Sequence, residues 1–284
     1  MFSWKHLIST NIVSAARTKL TLGDPYLKYP HYYFCSFQKS GRTWLRFILG
    51  NYLNIKFELG LDLNFHNIYT VLPSLTEKEK IAESYQLFVP LNTPLLFFTH
   101  SRYNPFLFRK DKVLFMLRSV YDTMVSFYFH NSKHHQRYEK GIKSFIKEPN
   151  LGVPRWINYM NSWAPRLLLG NCFIITYEKL YEKPVESVND ILIFLNIPPE
   201  ISIIRQALDL SSFGKMKKIE IKDGIINHNY DRNDNNARRI RKGEIGAYNN
   251  YLDNDDIQYI QHQLDINLRN KAKELLLKNE IILL

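Results

Sequence analysis

The chain has 284 residues, 45% of them hydrophobic and 23% charged, and carries a formal net charge of +11 at pH 7. That length can bury a sizeable core while exceeding an ordinary single domain only modestly, and the apolar content excludes a disordered or fibrous chain. The excess of 38 Lys and Arg over 27 Asp and Glu implies an anionic partner: a nucleotide, a polyanionic acceptor, nucleic acid or an anionic membrane surface.

Residues 1–22 scatter apolar side chains among Lys5, His6, Arg17 and Lys19 without the compact apolar stretch of a signal peptide, so residues 1–30 read as an N-terminal extension. A weak amphipathic helix making membrane-surface contact is its alternative. No apolar run approaches the roughly 18–20 residues that span a bilayer, and the expected location is cytoplasmic. Residues 32–37, Tyr-Tyr-Phe-Cys-Ser-Phe, form a short aromatic run free of Gly and Pro and predict a buried strand. The polar turn Gln38-Lys39-Ser40-Gly41-Arg42-Thr43 follows. Then Trp44, Leu45, Ile48, Leu49, Tyr52 and Leu53 recur with the spacing of one helix face. The first amides of a helix lack internal partners and its dipole favours negative charge, so a strand, a tight turn and a helix make an anion cradle. Lys39, Ser40, Arg42 and Thr43 add a cation or hydroxyl at nearly every position, and we read the turn as a phosphate-binding loop. It is not a Walker A loop, which puts its lysine after the second glycine of G-x-x-x-x-G-K-[ST]; here Lys39 precedes the turn's only glycine.

A short helix with Thr76 as its N-cap is expected over 76–83. Apolar runs at 94–100 and 112–118 predict two further strands, the second leading into a helix that contains Val125 and Phe129. Residues 130–149 are polar and basic and read as a solvated loop and helix face. The histidines there would suit a metal, but no acidic partner at ligand spacing supports one. A helix over 156–169, ended by Gly170, precedes a strand at 171–177 and helices at 185–195 and 199–208. Residues 215–240 are rich in Lys, Arg, Asn and Asp and read as a mobile basic surface segment, and a final helix is expected over 255–279. Cys35 and Cys172 each lie in a strand-like run, as buried thiols do, which excludes a disulfide framework.

Strands alternating with helices predict one α/β domain over 1–284, a three-layer α/β/α fold around a mostly parallel sheet. Ligands of such sheets bind beyond the carboxyl ends of the strands. Lys39, His100, Arg118 and Tyr177 all follow apolar strands at that end, which is the physical reason to join them in one site.

Four segments carry a family resemblance. QKSGRTWL at 38–45 resembles the 5′-phosphosulfate loop of sulfotransferases, roughly PKSGTTWL, departing from it at Gln38 and Arg42. LRSVYDTMVS at 117–126 is similar to the family's 3′-phosphate motif, in which an Arg is followed eight residues later by a Ser; a guanidinium offers a phosphate a bidentate fork. RKGEIG at 241–246 looks like the RKGxxG element, although Ala247-Tyr248 stands where Asp-Trp usually follows. Ser211-Ser212-Phe213 is similar to the Thr-Ser-Phe that covers adenine opposite Trp44, and Tyr177 matches the adenine-contacting tyrosine.

The resemblance implies a P-loop-like sulfotransferase fold with 3′-phosphoadenosine 5′-phosphosulfate (PAPS) as co-substrate and no metal. On the same basis Lys39 stabilises the departing 5′-phosphate, aided by Ser40, Gly41, Arg42 and Thr43. Arg118, Ser126, Arg241, Lys242 and Gly243 hold the 3′-phosphate, and Trp44, Tyr177, Ser211 and Phe213 hold the adenine. His100 is the base, in Phe98-Thr99-His100 where many members have Lys-Thr-His; Phe98 leaves the role of that lysine to another group. The acceptor is a small molecule or a saccharide: the basic segments 54–94, 128–156 and 215–239 favour a saccharide or another anionic acceptor over an apolar phenol. No nucleic-acid partner is expected, and the oligomeric state stays open because no family dimer motif follows Gly246. Two alternatives stand beside this reading. A kinase with an unusual loop would need Mg²⁺ and a strand-end acid where Arg118 stands. A non-catalytic anion- or RNA-binding module would bind with steep salt dependence and no need of adenine.

Overall fold

Four strands, β1 (His31–Ser36), β2 (Leu95–Thr99), β3 (Lys112–Leu117) and β4 (Cys172–Thr176), pair in the order β2-β1-β3-β4, and every pairing is parallel. The computed structural model describes residues 31–72, 95–109, 111–225 and 228–281. Phe34 stands level with Phe98 on one neighbour and Leu114 on the other, which sets the register of β1 against β2 and β3. Because side chains alternate across a strand, both faces of these apolar runs need cover, and parallel strands joined by helical crossovers supply it.

On one face Tyr32, Phe34, Leu96, Phe98, Leu114 and Met116 pack with α1 (Arg42–Lys56), α5 (Pro184–Phe194) and α6 (Ile201–Leu210). The other face takes Tyr33, Cys35, Phe97, Val113, Phe115 and Leu117. These meet α2 (Val120–Phe129), α3 (Val153–Leu167), α8 (Asn254–Asn267) and α9 (Asn270–Lys278). Trp156 and Trp163 are buried there, Trp163 4.9 Å from the ring of Phe108 and 5.3 Å from that of Phe115. The three layers and the parallel sheet are those the sequence predicts. Between β4 and α5, α4 (Tyr177–Glu182) begins on the Thr176 side chain, which accepts the amide of Lys179. Cys35 and Cys172 are free thiols, the first buried and the second half-buried. Among the described residues no helix is long and apolar enough to cross a membrane.

Three expectations need correction. The stretch 130–149 is not simply solvated: His130–His134 continues α2 as a π-helical turn, and His134 is buried. Its ring is satisfied by groups about a hundred residues away, which local polarity does not reveal. The basic segment expected to be mobile starts as a helix, α7 (Phe213–Asp223), which turns Met216 and Glu220 inward. The single C-terminal helix is two, α8 and α9. Asn161 on α3 brackets the break, its Oδ1 accepting the Arg269 amide at 2.8 Å while its Nδ2 donates to the Asn267 carbonyl at 2.9 Å. The N-terminal extension and the helix expected at 76–83 lie outside the described residues.

Candidate active site

At the carboxyl ends of β1, β2 and β3 lies a cavity of about 600 Å³, within the size range of small-molecule and cofactor sites. The turn after β1 forms its floor. Gly41 has φ 101°, a left-handed conformation that side chains resist, and a Cβ there would come within 2.6 Å of the Tyr177 ring. Lys39 also has a positive φ, 67°, the kind of backbone strain that collects at functional sites. The residue is half-buried and lines the cavity. Burial first, then the charges of Arg239, Arg241 and Arg118, push its pKa down to about 7, with Glu220 opposing.

Arg118 follows β3 and clasps two loops. One nitrogen, Nη1, donates to the Lys39 carbonyl at 3.2 Å, and Nη2 donates to the Glu244 carbonyl at 3.2 Å. Its guanidinium lies 4.2 Å from the centroid of the Tyr177 ring, and its Nε is buried without a hydrogen-bond partner. A buried donor left unpaired is costly and calls for a ligand. The segment 239–248 is pinned across the cavity by two buried carboxylates. Glu220 accepts the amides of Arg239 (2.7 Å) and Ile240 (2.8 Å) and the Tyr230 hydroxyl (2.8 Å). Asp122 accepts the amides of Gly246 (2.8 Å) and Tyr248 (3.0 Å). Between the pins Gly243 has φ 71°, and a Cβ on it would meet the Phe213 ring at 2.6 Å. Arg241 donates to the Tyr251 hydroxyl at 3.0 Å.

His100, after β2, places Nδ1 2.8 Å from the Ser36 carbonyl. A carbonyl can only accept, so Nδ1 carries the hydrogen and Nε2 is the free lone pair. Burial, followed by the charge of Arg42, lowers its pKa well below the ordinary histidine value, so the imidazole is neutral.

Lys39, Gly41, Arg42, Thr43, Trp44 and His100 all line this cavity, and so do Arg118, Ser126 and Tyr177. Phe213, Arg241, Lys242 and Gly243 complete the wall. Two expected residues fall outside the lining. Ser40 is buried, only 2% exposed, behind the turn. The Ser211 hydroxyl is buried and accepts from Asn51 Nδ2 at 3.1 Å, while its carbonyl accepts Trp44 Nε1 at 3.1 Å; Ser212 lines the cavity in its place. Ser211 therefore orients the tryptophan, whose ring stands 5.5 Å from that of Tyr177.

Sequence reasoning missed Tyr69, His130, His228 and Arg239, which also line the cavity. His134 donates from Nδ1 to the Ala237 carbonyl at 2.7 Å, so its Nε2 accepts the Nδ1 hydrogen of His228 at 2.8 Å. His130 Nδ1 is buried without a partner. Burial chiefly depresses all of these imidazoles, His134 to about 3 and His228 to about 4, so they are neutral at pH 7. The i,i+4 spacing of His130 and His134 behind an apolar helix was the signal available. His130, His134 and His135 keep their ligand nitrogens within 4.8 Å of one another, which a small cation could bridge. No carboxylate belongs to that group, and the charges of Lys39 and Arg239 act on all three rings, a hostile setting for a dication.

Comparisons with known proteins bear on the family and the fold. The flavonol 3-sulfotransferase of Flaveria bidentis is 25% identical over 256 residues, 82% of this chain and 80% of that protein. Cytosolic sulfotransferase 7 of Arabidopsis thaliana is 29% identical over 240 residues, 76% of this chain and 72% of its own. Among solved structures, a mouse sulfotransferase complexed with PAP shares the fold with a TM-score of 0.63 at 21% identity, over 88% of both chains. The family model described as "Sulfotransferase domain" matches residues 30–273. The chain belongs to the sulfotransferase family.

Proposed function

We propose that this sulfotransferase takes PAPS as donor and sulfates a hydroxyl or amine of a polar acceptor, a saccharide, in the cytoplasm. The observation that carries the donor reading is the convergence of Lys39, Arg118, Ser126 and residues 241–243, from three distant segments, on one cavity wall. The buried, unpartnered Nε of Arg118 and the two left-handed glycines against aromatic rings fit a nucleotide that brings phosphate oxygens and a flat base. When bound, the donor supplies a sulfur electrophile whose leaving group is already an anion of low basicity.

The protein's own groups do the rest. Lys39 and the first amides of α1 meet negative charge at the 5′ end, where fixed donors act without reorganising. Arg118 and Arg241 offer guanidinium forks to the 3′-phosphate, with Ser126, Lys242 and the Gly243 amide beside them. Trp44 and Phe213 take the faces of the base, with Tyr177 behind Trp44. His100 receives the acceptor's proton at Nε2, with Ser36 holding the other nitrogen in the donor tautomer. The saccharide reading rests on the acceptor side of the wall, where His130, His228 and Tyr69 present polar atoms. The cytoplasmic reading rests on relatives named cytosolic.

Adenosine 3′,5′-bisphosphate and ADP differ in the phosphate assigned to Arg118, Ser126 and Arg241. A charge-assisted contact of about 1.5–3 kcal/mol makes the bisphosphate bind at least about tenfold tighter, without Mg²⁺. Arg118→Ala should erase most of that margin and leave ADP binding nearly unchanged. Equal affinities in the unaltered protein would overturn the reading.

A further inference from the structure

The cavity holds more positive charge than a nucleotide site requires. Arg42 opens α1 and lines the cavity together with His100. The charges acting on Lys39 are those of Arg239, Glu220, Arg241 and Arg118, whereas Arg42 is the foremost charge on His100 and interacts with Arg46, Tyr69 and Tyr159. Its head therefore lies at the acceptor end, beside the base. Arg239 stands between the two ends, since its charge is the foremost on Lys39 and also acts on Arg42, His100, His130 and His228. Glu220, gripping its backbone amide, sets it there.

Neither guanidinium has a hydrogen-bond or carboxylate partner among the described residues. The acids nearby are committed elsewhere. Both oxygens of Asp122 accept loop amides, both oxygens of Glu220 are likewise engaged, and Glu244 is exposed. Two crowded cations without counter-charge are expensive to hold in a protein interior. Burial first, then the neighbouring charges of Arg46 and Arg239, lower the Arg42 pKa to about 9.

We propose that Arg42 and Arg239 form an anion subsite next to His100, so that the acceptor carries a carboxylate, sulfate or phosphate adjacent to the group that is sulfated. The subsite rests on the sulfotransferase reading of the cavity and adds to it a chemical class of acceptor. It also gives a reason for the departure at Arg42 from the family loop: the side chain serves the acceptor and leaves the donor to its neighbours. Neutral His130 and His228 supply hydrogen bonds to the remaining hydroxyls.

The test is calorimetry on the full chain saturated with adenosine 3′,5′-bisphosphate, titrated with methyl glucoside, methyl glucuronide, and methyl glucoside 6-sulfate and 6-phosphate. At least one anionic sugar should bind about tenfold tighter than the neutral one, the size of a charge-assisted contact. Which one wins identifies the acidic group. Arg42→Gln should remove most of that preference while its melting temperature stays that of the unaltered protein, which verifies folding, and Arg42→Lys should restore part of it. Arg239→Gln should act in the same direction. If the bisphosphate binds but no anionic sugar is preferred, or if the preference survives both Gln variants, the subsite is overturned. If the bisphosphate itself does not bind, the donor reading fails and the subsite with it.

Discussion

The ends of the cavity proposed for donor and for acceptor are assembled differently. The donor end is made of contiguous motifs, 38–44, 117–126 and 241–243, each set at a strand end or between two anchors. The acceptor end is made of single side chains that meet only in three dimensions: Arg42, Tyr69, His100, His130, His228 and Arg239. Backbone amides and glycines dominate the first, imidazoles and guanidinia the second. A loop built on backbone tolerates few changes because the main chain itself is the ligand, whereas a wall of side chains can be respecified one residue at a time.

The largest effects should come from the residues where the two ends meet. His100→Ala should lower turnover by about 10²–10⁴, the range of a positioned general base, while bisphosphate affinity stays the same. Loss of both together would make His100 structural and blur the boundary between the ends. Lys39→Ala should cost about 10²–10³ in rate, as for one preorganised charge donor, with the melting temperature retained. Turnover within threefold of the unaltered protein would remove Lys39 from the donor end.

A smaller effect is expected beneath both ends. Glu220→Ala leaves two amides and the Tyr230 hydroxyl without their acceptor and should destabilise the fold by about 1–3 kcal/mol in a denaturant titration. No loss of stability would mean that the strap 239–248 is held by something else. The smallest effect distinguishes the ends by pH. With the Lys39 pKa at about 7 in the free protein, a bound anion must raise it. Bisphosphate binding above pH 7 then takes up protons, and affinity falls by at most about tenfold per pH unit as pH rises, levelling off below pH 7. Calorimetry in two buffers of different ionisation enthalpy at pH 8.5 reads the uptake directly. Proton-free binding with constant affinity from pH 6 to 9 would assign a protonated Lys39 to the free state.

The same division explains what the sequence could tell. The sheet was legible because 32–37 and 112–118 are apolar runs too short for helices, and the donor loop because its letters are adjacent. The histidine cluster was not legible. His134 pairs with Ala237 and His228, 103 and 94 residues away, so a string of polar letters that looks wetted by solvent is satisfied by distant chain. Arg239 was hidden for a related reason: nothing local says that Arg239 and Arg241 line the cavity while Arg238 is buried outside it. Ser211 and Ser212 are adjacent hydroxyls whose roles are divided only by the tryptophan that Ser211 holds. The break between α8 and α9 depends on Asn161, in another helix altogether.

The strap pinned by Glu220 and Asp122 has a consequence for how the enzyme comes into being. Its far anchor joins residues 124 and 126 positions apart, so that end of the donor site closes only when late-made chain returns to a carboxylate laid down much earlier. A nascent chain on the ribosome already has its sheet and the Lys39 turn but has no clasp, since domains take shape from the N-terminal side during synthesis while contacts of long sequence separation form slowly. Competence to capture a nucleotide thus waits until residue 248 has been made and has found Asp122. The span between the two pins also behaves as a cassette: it could be exchanged between relatives only together with both carboxylates.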